Sequence, residues 1–570
     1  MLIFSLLLLT ACSTDNPDKT PEYIGGEGDI FGEDDLSDSY DPNQSYTVTL
    51  CGTSATTDAT GVTSLNGSVY FTRGGTYLIS GELSAGSLII ECPKSEDIRL
   101  VLLGVDIYSP ASAAIYIKEC DTAYITLGDN TNNTIGAGES FASDENGVDG
   151  ALFSMCDLTL NGGGSLAVTS PVGHGIVAKD ELLISGGKYT VTSASHAINA
   201  NDLIGITSAT LTLDAGKDGI HAEHSTNTEF GYIYIANGRF NIEAEGDGIS
   251  AGAFLQIDSG SFNILTGGGY ENGEEHTSSG FGGFGGFGGG PMRPGLQGSS
   301  STSGATDEDS TSIKGLKAKT GLLISDGEFN INSADDTLHS NSDITLSGGK
   351  LTLLSGDDGV HADNTLTVSG GEITVSESYE GLEAINVKIL GGRISIKATD
   401  DGLNAAGGTD SSGLGGARPG ESFGASTGSK GTILISGGEL SITASGDGID
   451  SNGTLNISGG YTTVTGPTIG DTAVLDFDTT ASITGGVFIG TGAYNMAQVF
   501  TSSTQGVFAV RAGSVTAGTT LTLTDSGGNE IISYTPTLNY QLIIISTPDM
   551  TSGEEYTITV GDATGTFEAS

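Results

Sequence analysis

The sequence predicts an all-β protein wound as a β-solenoid, and three observations carry that prediction. A segment of about 22 residues recurs, most regularly between Ile344 and Asn404, with Gly349, Gly371 and Gly392 in equivalent places. Each copy holds short runs in which apolar and polar residues alternate, such as Leu351 and Leu353 and then Val360 and Ala362. Between the runs stand Gly turns, here Ser347-Gly348-Gly349 and Ser355-Gly356, and no helical segment intervenes. A fixed period of this length made of alternating strands and turns is the mark of a solenoid.

One copy has too little apolar surface to fold alone. Stacked copies bury Ile, Leu, Val and Ala inward and pair edge to edge, about 4.8 Å per coil, so that each outward position becomes a column. Residues 1–11 are an apolar run too short to span a bilayer as a helix, and read as the hydrophobic part of a secretory signal. The ending Leu9-Thr10-Ala11-Cys12 resembles the lipobox of bacterial lipoproteins. That resemblance implies cleavage before Cys12, lipidation of its thiol, and an extracytoplasmic protein anchored to the membrane at the cell surface. Residues 12–44, rich in Asp, Glu, Gly, Ser and Pro, read as an acidic disordered tether.

The solenoid is expected over residues 45–494. Its first strands, from Tyr46 to Leu127, are less regularly spaced, as befits initial coils with a cap over an open edge. Cys51, Cys92, Cys120 and Cys156 all fall here or just beyond. An exported chain permits disulfides among them, and burial as small hydrophobes is the alternative. Regular copies follow at Leu158, Leu182, Leu211, Tyr232 and Phe254, resume at Leu322, and end near Ser482. Gly-rich insertions at 267–312 and 407–430, both read as leaving the same side of a coil, share Arg-Pro-Gly at Arg293 and Arg418. Phe281, Phe284 and Phe287 in the first suit either a lid offering aromatic faces to sugar rings or a plain spacer. Residues 495–570 lose the period and read as a small antiparallel β module closing the C-terminal edge.

Aligning copies on the Gly-[Ile/Val/Leu]-x-Ala corner puts Asp218, Asp247, Asp336, Asp358, Glu380, Asp401 and Asp447 in register, read as seven successive coils. Asp335, Asp357 and Asp400 double the charge just before three of them, while His174 and His196 hold the position in two earlier copies. Carboxylates about 5 Å apart repel by roughly 1 kcal/mol per pair in water and more at a protein surface, which calls for a cation. Calcium, with six to eight hard oxygen ligands, suits the ladder better than magnesium. The densest set is Asp335, Asp336, Asp357, Asp358, Asp363, Asp400 and Asp401; Asp447 with Asp450 is a second candidate and Asp247 a third. A solvated acidic face is the competing reading. A second, mixed column of His221, Ser250, His339, His361, Glu383, Asn404 and Asp450 leaves open a transition metal or plain surface histidines. With 70 Asp plus Glu against 20 Lys plus Arg, a net charge of −50 argues against nucleic acid as a partner and for cations.

The lipoprotein-like start, the repeated Ser-Gly-Gly and Asp-Asp-Gly-[Ile/Val]-x-Ala elements and the Gly-rich insertion with Arg-Pro-Gly together resemble the bacterial carbohydrate-binding right-handed β-helix proteins. Those are similar in fold to family nine pectate lyases, and the resemblance covers roughly residues 45–570. It implies a right-handed parallel β-helix with calcium on the coil aspartates. It also implies binding of cellulose-like or polygalacturonate chains at the cell surface, without established cleavage; the protein is expected to be a monomer. A pectate-lyase-like reaction would need a Lys or Arg base beside the ion, and Lys217 and Lys397 stand near Asp218 and Asp400. A structural adhesin is the remaining alternative.

Overall fold

The computed structural model describes residues 24–273, 312–405, 431–468 and 472–570. The recurring runs stack as three ladders of parallel strands. A short-strand ladder climbs from Ile115–Glu119 through Ile220–Ala222, Leu338–Ser340 and Leu403–Ala405 to Leu475–Phe477. A middle ladder includes Thr122–Leu127, Glu181–Ile184, Phe254–Ile257 and Thr432–Ile435, and a long-strand ladder includes Lys188–Ser193, Glu328–Ser333 and Glu439–Ala444. The pairing is parallel and in register from coil to coil, with Leu338 opposite Val360 and Val360 opposite Leu382. The architecture is thus an all-β parallel solenoid.

Period-2 alternation places one side of all three ladders in a single core, in which Ile220, Ile249, Leu316, Leu338, Val360 and Leu382 are fully buried. Phe240, Phe262 and Phe329 occupy one inward column, their rings nearly parallel with centroids 4.5 Å apart. The residue after most column acids is Gly because of close approach, not because of a left-handed backbone. A Cβ at Gly359 would lie 2.5 Å from the Gly381 carbonyl oxygen of the next coil and 2.7 Å from Val375 Cγ1. In one coil Thr337 takes the place, its hydroxyl donating to the Gly359 carbonyl. Gly359→Ala is therefore expected to destabilise the protein by about 1–3 kcal/mol through overpacking, read as a lower thermal midpoint.

Both ends are sealed. Tyr46–Gly52 and Ser68–Phe71 are first parallel rungs, and Ala55–Thr57 and Val62–Leu65 pair antiparallel with them, so the parallel ladders stop there. At the other end Thr480–Gly492 pairs antiparallel with Tyr540–Ser546, which in turn pairs with Val507–Val515. A four-stranded antiparallel sheet of Glu530–Tyr534, Leu521–Thr524, Glu555–Val560 and Ala563–Glu568 follows. Its own core, with Phe508, Leu523, Ile543 and Tyr556, takes in Ile489 of the last coil.

Two expectations change. The segment read as a disordered tether is, from Ile24 onward, a strap laid along the outside of the middle ladder. Its one-turn helices, Glu27–Ile30 and Glu33–Leu36, set Phe31 against Leu183 and Tyr234. Gln256 holds the strap's start, accepting from Ile24 N at 2.9 Å and donating to Gly25 O at 3.0 Å. Near its other end Thr159 donates to Asp35 at 2.6 Å and Arg99 to the Ser37 carbonyl at 3.1 Å. Few apolar residues suffice because outward-facing hydroxyl and amide groups of the ladder, buried beneath the strap, supply the rest of the binding. The two insertions, secondly, leave different corners. One lies between the long strand Ser261–Thr266 and the short strand Leu316–Ala318; the other lies between the short strand Leu403–Ala405 and the middle strand Thr432–Ile435. Phe281, Phe284, Phe287, Arg293 and Arg418 fall outside the described residues, as do residues 1–11 and Cys12. Of the two readings open for the cysteines, the structure has burial: the four described cysteines are free thiols, with Cys92, Cys120 and Cys156 buried and Cys51 exposed. Burial pushes the Cys92 thiol up to about 11.

Candidate functional site

Two columns of polar side chains follow the short-strand ladder. One stands at the corner two residues before each strand's first core residue; the other is the strand's middle residue. Strand register puts Asn199, His221, Ser250, Lys317, His339, His361, Glu383, Asn404 and Asp450 in the second column.

Acids occupy the corner because the aspartate carboxylates there close coil-to-coil hydrogen bonds. Asp218 Oδ1 accepts from Asp247 N at 2.8 Å, Asp247 Oδ1 from Lys314 N at 2.7 Å, and Asp336 Oδ1 from Asp358 N at 3.0 Å. Asp358 Oδ1 accepts from Glu380 N at 3.2 Å, and Asp401 Oδ1 from Asp447 N at 2.5 Å. These bonds satisfy corner amides that would otherwise be stranded away from water. The second oxygen turns to the other column, three residues on: Asp218 Oδ2 to His221 Nδ1 at 2.7 Å, Asp336 to His339 at 2.9 Å, Asp358 to His361 at 3.1 Å. Asp218, Asp247, Asp336, Asp358 and Glu380 are consequently buried, Asp336 fully and Asp358 at 2 % exposure, which corrects the reading of a solvated acidic face for these five, while Asp401 and Asp447 are half-buried.

Nor are the seven acids successive. Lys314 stands in the corner column between Asp247 and Asp336, its coil disguised by the preceding insertion. Only 3 % exposed, it donates to Asp335 and Asp336 at 3.0 Å each. Burial works against ionisation of Asp336, yet Lys314 and then His339 hold its pKa far below the usual carboxylate range. Asp335, Asp336 and Asp357 do converge within 4.8 Å, with the Lys314 ammonium already beside the first two. Asp247 is held by Ser312 at 2.8 Å and Lys317 at 3.4 Å, and joins no group of three ligand side chains among the described residues.

Further along, His361 carries the counter-charge. Its Nδ1 lies 2.8 Å from Glu383 and 3.1 Å from Asp358, its Nε2 3.3 Å from Asp363. Burial disfavours the imidazolium, but these carboxylates raise its pKa well above the ordinary value. Asp358 is itself pushed well up, by burial and then by Asp357, Glu380 and Glu383. Beyond Glu380, which accepts from Asn404 at 2.7 Å, the second column offers Asn404 and Asp450 in place of histidine or lysine. There Asp401, Asp447 and Asp450 bring carboxylate oxygens within 4.8 Å of one another. Burial, followed by Glu380, Asp447, Asp400 and Asp450, raises Asp401 well above its usual value. Burial and then Asp447, Asp476 and Asp478 push Asp450 up to about 7.

Of the ten predicted ligands, the fold therefore gathers Asp335, Asp336 and Asp357 in one group and Asp401, Asp447 and Asp450 in another. Asp358 joins His361 and Glu383, while Asp363, Asp400 and Asp247 lie beside these groups without belonging to them. Sequence reasoning missed Lys314 and Lys317, although Lys314-Gly-Leu-Lys-Ala repeats the corner pattern with a cation in the acid's place. Lys397 points away, paired with Glu377 on the outside of the long-strand ladder.

Strand stacking and this ladder of carboxylate, histidine and lysine side chains define a β-solenoid with an ionisable corner. A family model described as carbohydrate-binding domain-containing protein matches residues 66–359, just over half of the chain, and the chain belongs to that family. A relative with the same description from Acetivibrio thermocellus is 32% identical over 126 residues, which is 22% of this chain and 44% of the relative; the match spans under half of the relative's length. A solved structure, the polysaccharide lyase-like protein from C. thermocellum in a gadolinium derivative, is 27% identical with a TM-score of 0.38, over 39% of this chain and 92% of that one.

Proposed function

We propose that the protein is a calcium-dependent polysaccharide-binding protein, a right-handed solenoid held at the cell surface by a lipid on Cys12. As a monomer it grips a cellulose-like or polygalacturonate-type chain along its ionisable corner. Family membership supports the carbohydrate. The convergence of Asp401, Asp447 and Asp450 is the single observation that carries the calcium. Their donor set is carboxylate oxygen alone, which suits a hard cation and fits calcium's tolerance of irregular oxygen shells. Burial and acidic neighbours disfavour the ionised forms of Asp401 and Asp450, and a divalent ion would supply the missing positive charge. An anionic glycan would then meet an acidic protein through the shared ion instead of being repelled.

The test is a glycan array run with calcium and with EDTA, on the parent and on Asp401→Asn with Asp447→Asn, which keeps acceptors for the corner amides. Binding to a plant-type glycan is expected with calcium and is expected to vanish in EDTA and in the double variant. Polygalacturonate binding that survives EDTA would refute calcium bridging. A blank array beside protein-dependent cell contact would favour an adhesin, and ultraviolet-absorbing unsaturated products would mark a lyase.

A further inference from the structure

The early coils carry stacked imidazoles, His174 and His196 at the corner and His221 in the second column. His174, His196 and His221 stack face to face, with ring centroids 5.0 and 4.2 Å apart and planes within 8° and 14° of parallel. Asp218 sits among the last two: its Oδ2 is 3.3 Å from His196 Nδ1 and 2.7 Å from His221 Nδ1. The three residues come from two successive coils, and each offers a ligand atom within 4.8 Å of those of the other two. Four-coordinate zinc with bonds of about 2.0–2.1 Å needs ligand atoms roughly 3.3 Å apart. The His196 to Asp218 separation already meets that spacing, the His221 imidazole has to open by about 0.6 Å, and each ring exchanges a hydrogen bond for a metal bond: His221 Nδ1 the one to Asp218 Oδ2, and His196 Nδ1 the one it accepts from Asp218 N at 3.2 Å.

Two further features point the same way. The far nitrogen of His221, Nε2, faces Glu223 Oε2 at 3.6 Å, the carboxylate–histidine relay that orients metal-bound imidazoles. One coil earlier, His174 keeps a buried Nδ1 without a hydrogen-bond partner. Two imidazole nitrogens and one carboxylate form a softer donor set than the all-oxygen groups further along, and borderline transition metals prefer it to calcium. The His221 side chain is 17% exposed, so a water has access to the remaining coordination position.

We propose that His196 Nδ1, Asp218 Oδ2 and His221 Nδ1 form a second, chemically distinct metal site that takes a borderline divalent transition metal, with zinc the best match, and keeps one coordination position open. The site does not depend on the calcium reading, because none of its residues belongs to the acidic groups.

The full chain, stripped by chelator and titrated with zinc in excess calcium, should bind one equivalent at this site, and cobalt(II) in its place should show the intense visible absorption of a tetrahedral centre. His221→Ala should abolish the cobalt spectrum and weaken zinc binding at least tenfold. Glu223→Gln, at a residue whose side chain is 53% exposed, should fold normally and weaken zinc about tenfold or more by loosening the relay. Asp450→Asn should leave zinc binding unchanged. Absence of a calcium-resistant zinc equivalent, or zinc binding indifferent to both His221→Ala and Glu223→Gln, would overturn the assignment; a zinc equivalent retained alongside failed calcium-dependent glycan binding would uphold it.

Discussion

Replacing Lys314 by methionine is expected to destabilise the protein by about 3–5 kcal/mol, the usual cost of removing one partner from a buried ion pair. The side chain is nearly as long, so the loss reflects charge more than packing. Without the ammonium, Asp335 and the fully buried Asp336 face each other and Asp357 with their principal counter-charge gone. Asp336→Asn keeps the acceptor for the Asp358 amide while removing one charge, so adding it to the methionine variant should recover much of the loss. A double-mutant cycle by chemical or thermal denaturation should return a coupling well above 1 kcal/mol for this shared network. The methionine variant should also gain a calcium-dependent rise in melting temperature, since Asp335, Asp336 and Asp357 would then be available to a metal. A melting temperature unchanged by Lys314→Met would show that the lysine does not balance the corner.

Calcium should matter more at pH 8 than at pH 5. Asp450 is raised from 3.8 to about 7 and Asp401 is raised as well. A carboxyl whose folded pKa exceeds its unfolded value contributes stability that is complete below about pH 4 and is lost as the pH climbs through 7, because the folded state then holds the extra proton less and less. The calcium-free protein is therefore expected to melt lower at pH 8 than at pH 5. Calcium takes the place of those protons, so the melting increment it confers should grow over the same interval, with proton release on binding. Glu181, pushed to about 7 by burial and then by Asp157, contributes to the same slope on another flank of the solenoid. The variants separate the two: Asp450→Asn should flatten the slope and shrink the calcium increment, whereas Glu181→Gln should flatten the slope alone. A calcium increment equal at both pH values would contradict the role given to Asp401 and Asp450.

The repeat was legible because both of its causes are local. Alternation at period 2 decides which side chains of Leu351, Leu353 and Val360 turn inward, and the recurrence of Gly349, Gly371 and Gly392 sets where the chain turns. Backbone pairing then leaves stacking as the way to satisfy every strand. The same step put the corner acids and the second column in register, down to Ser250 above His221 and Asp450 above Asn404. The strap was misread because composition reports average polarity, whereas three side chains, Ile24, Ile30 and Phe31, found partners on coils more than a hundred residues away.

Register alone places side chains in columns; it says nothing of which way a carboxylate turns or what answers it. Asp218 meets two imidazoles, Asp336 a lysine hidden behind a long insertion, and Asp401 chiefly other acids. Alternation and the glycine corners were enough to dictate a solenoid and an ionisable edge along it. Folding in three dimensions assigned each acid its burial and its counter-charge, because charge balance is set by distances of a few ångströms between residues that insertions of variable length keep far apart along the chain.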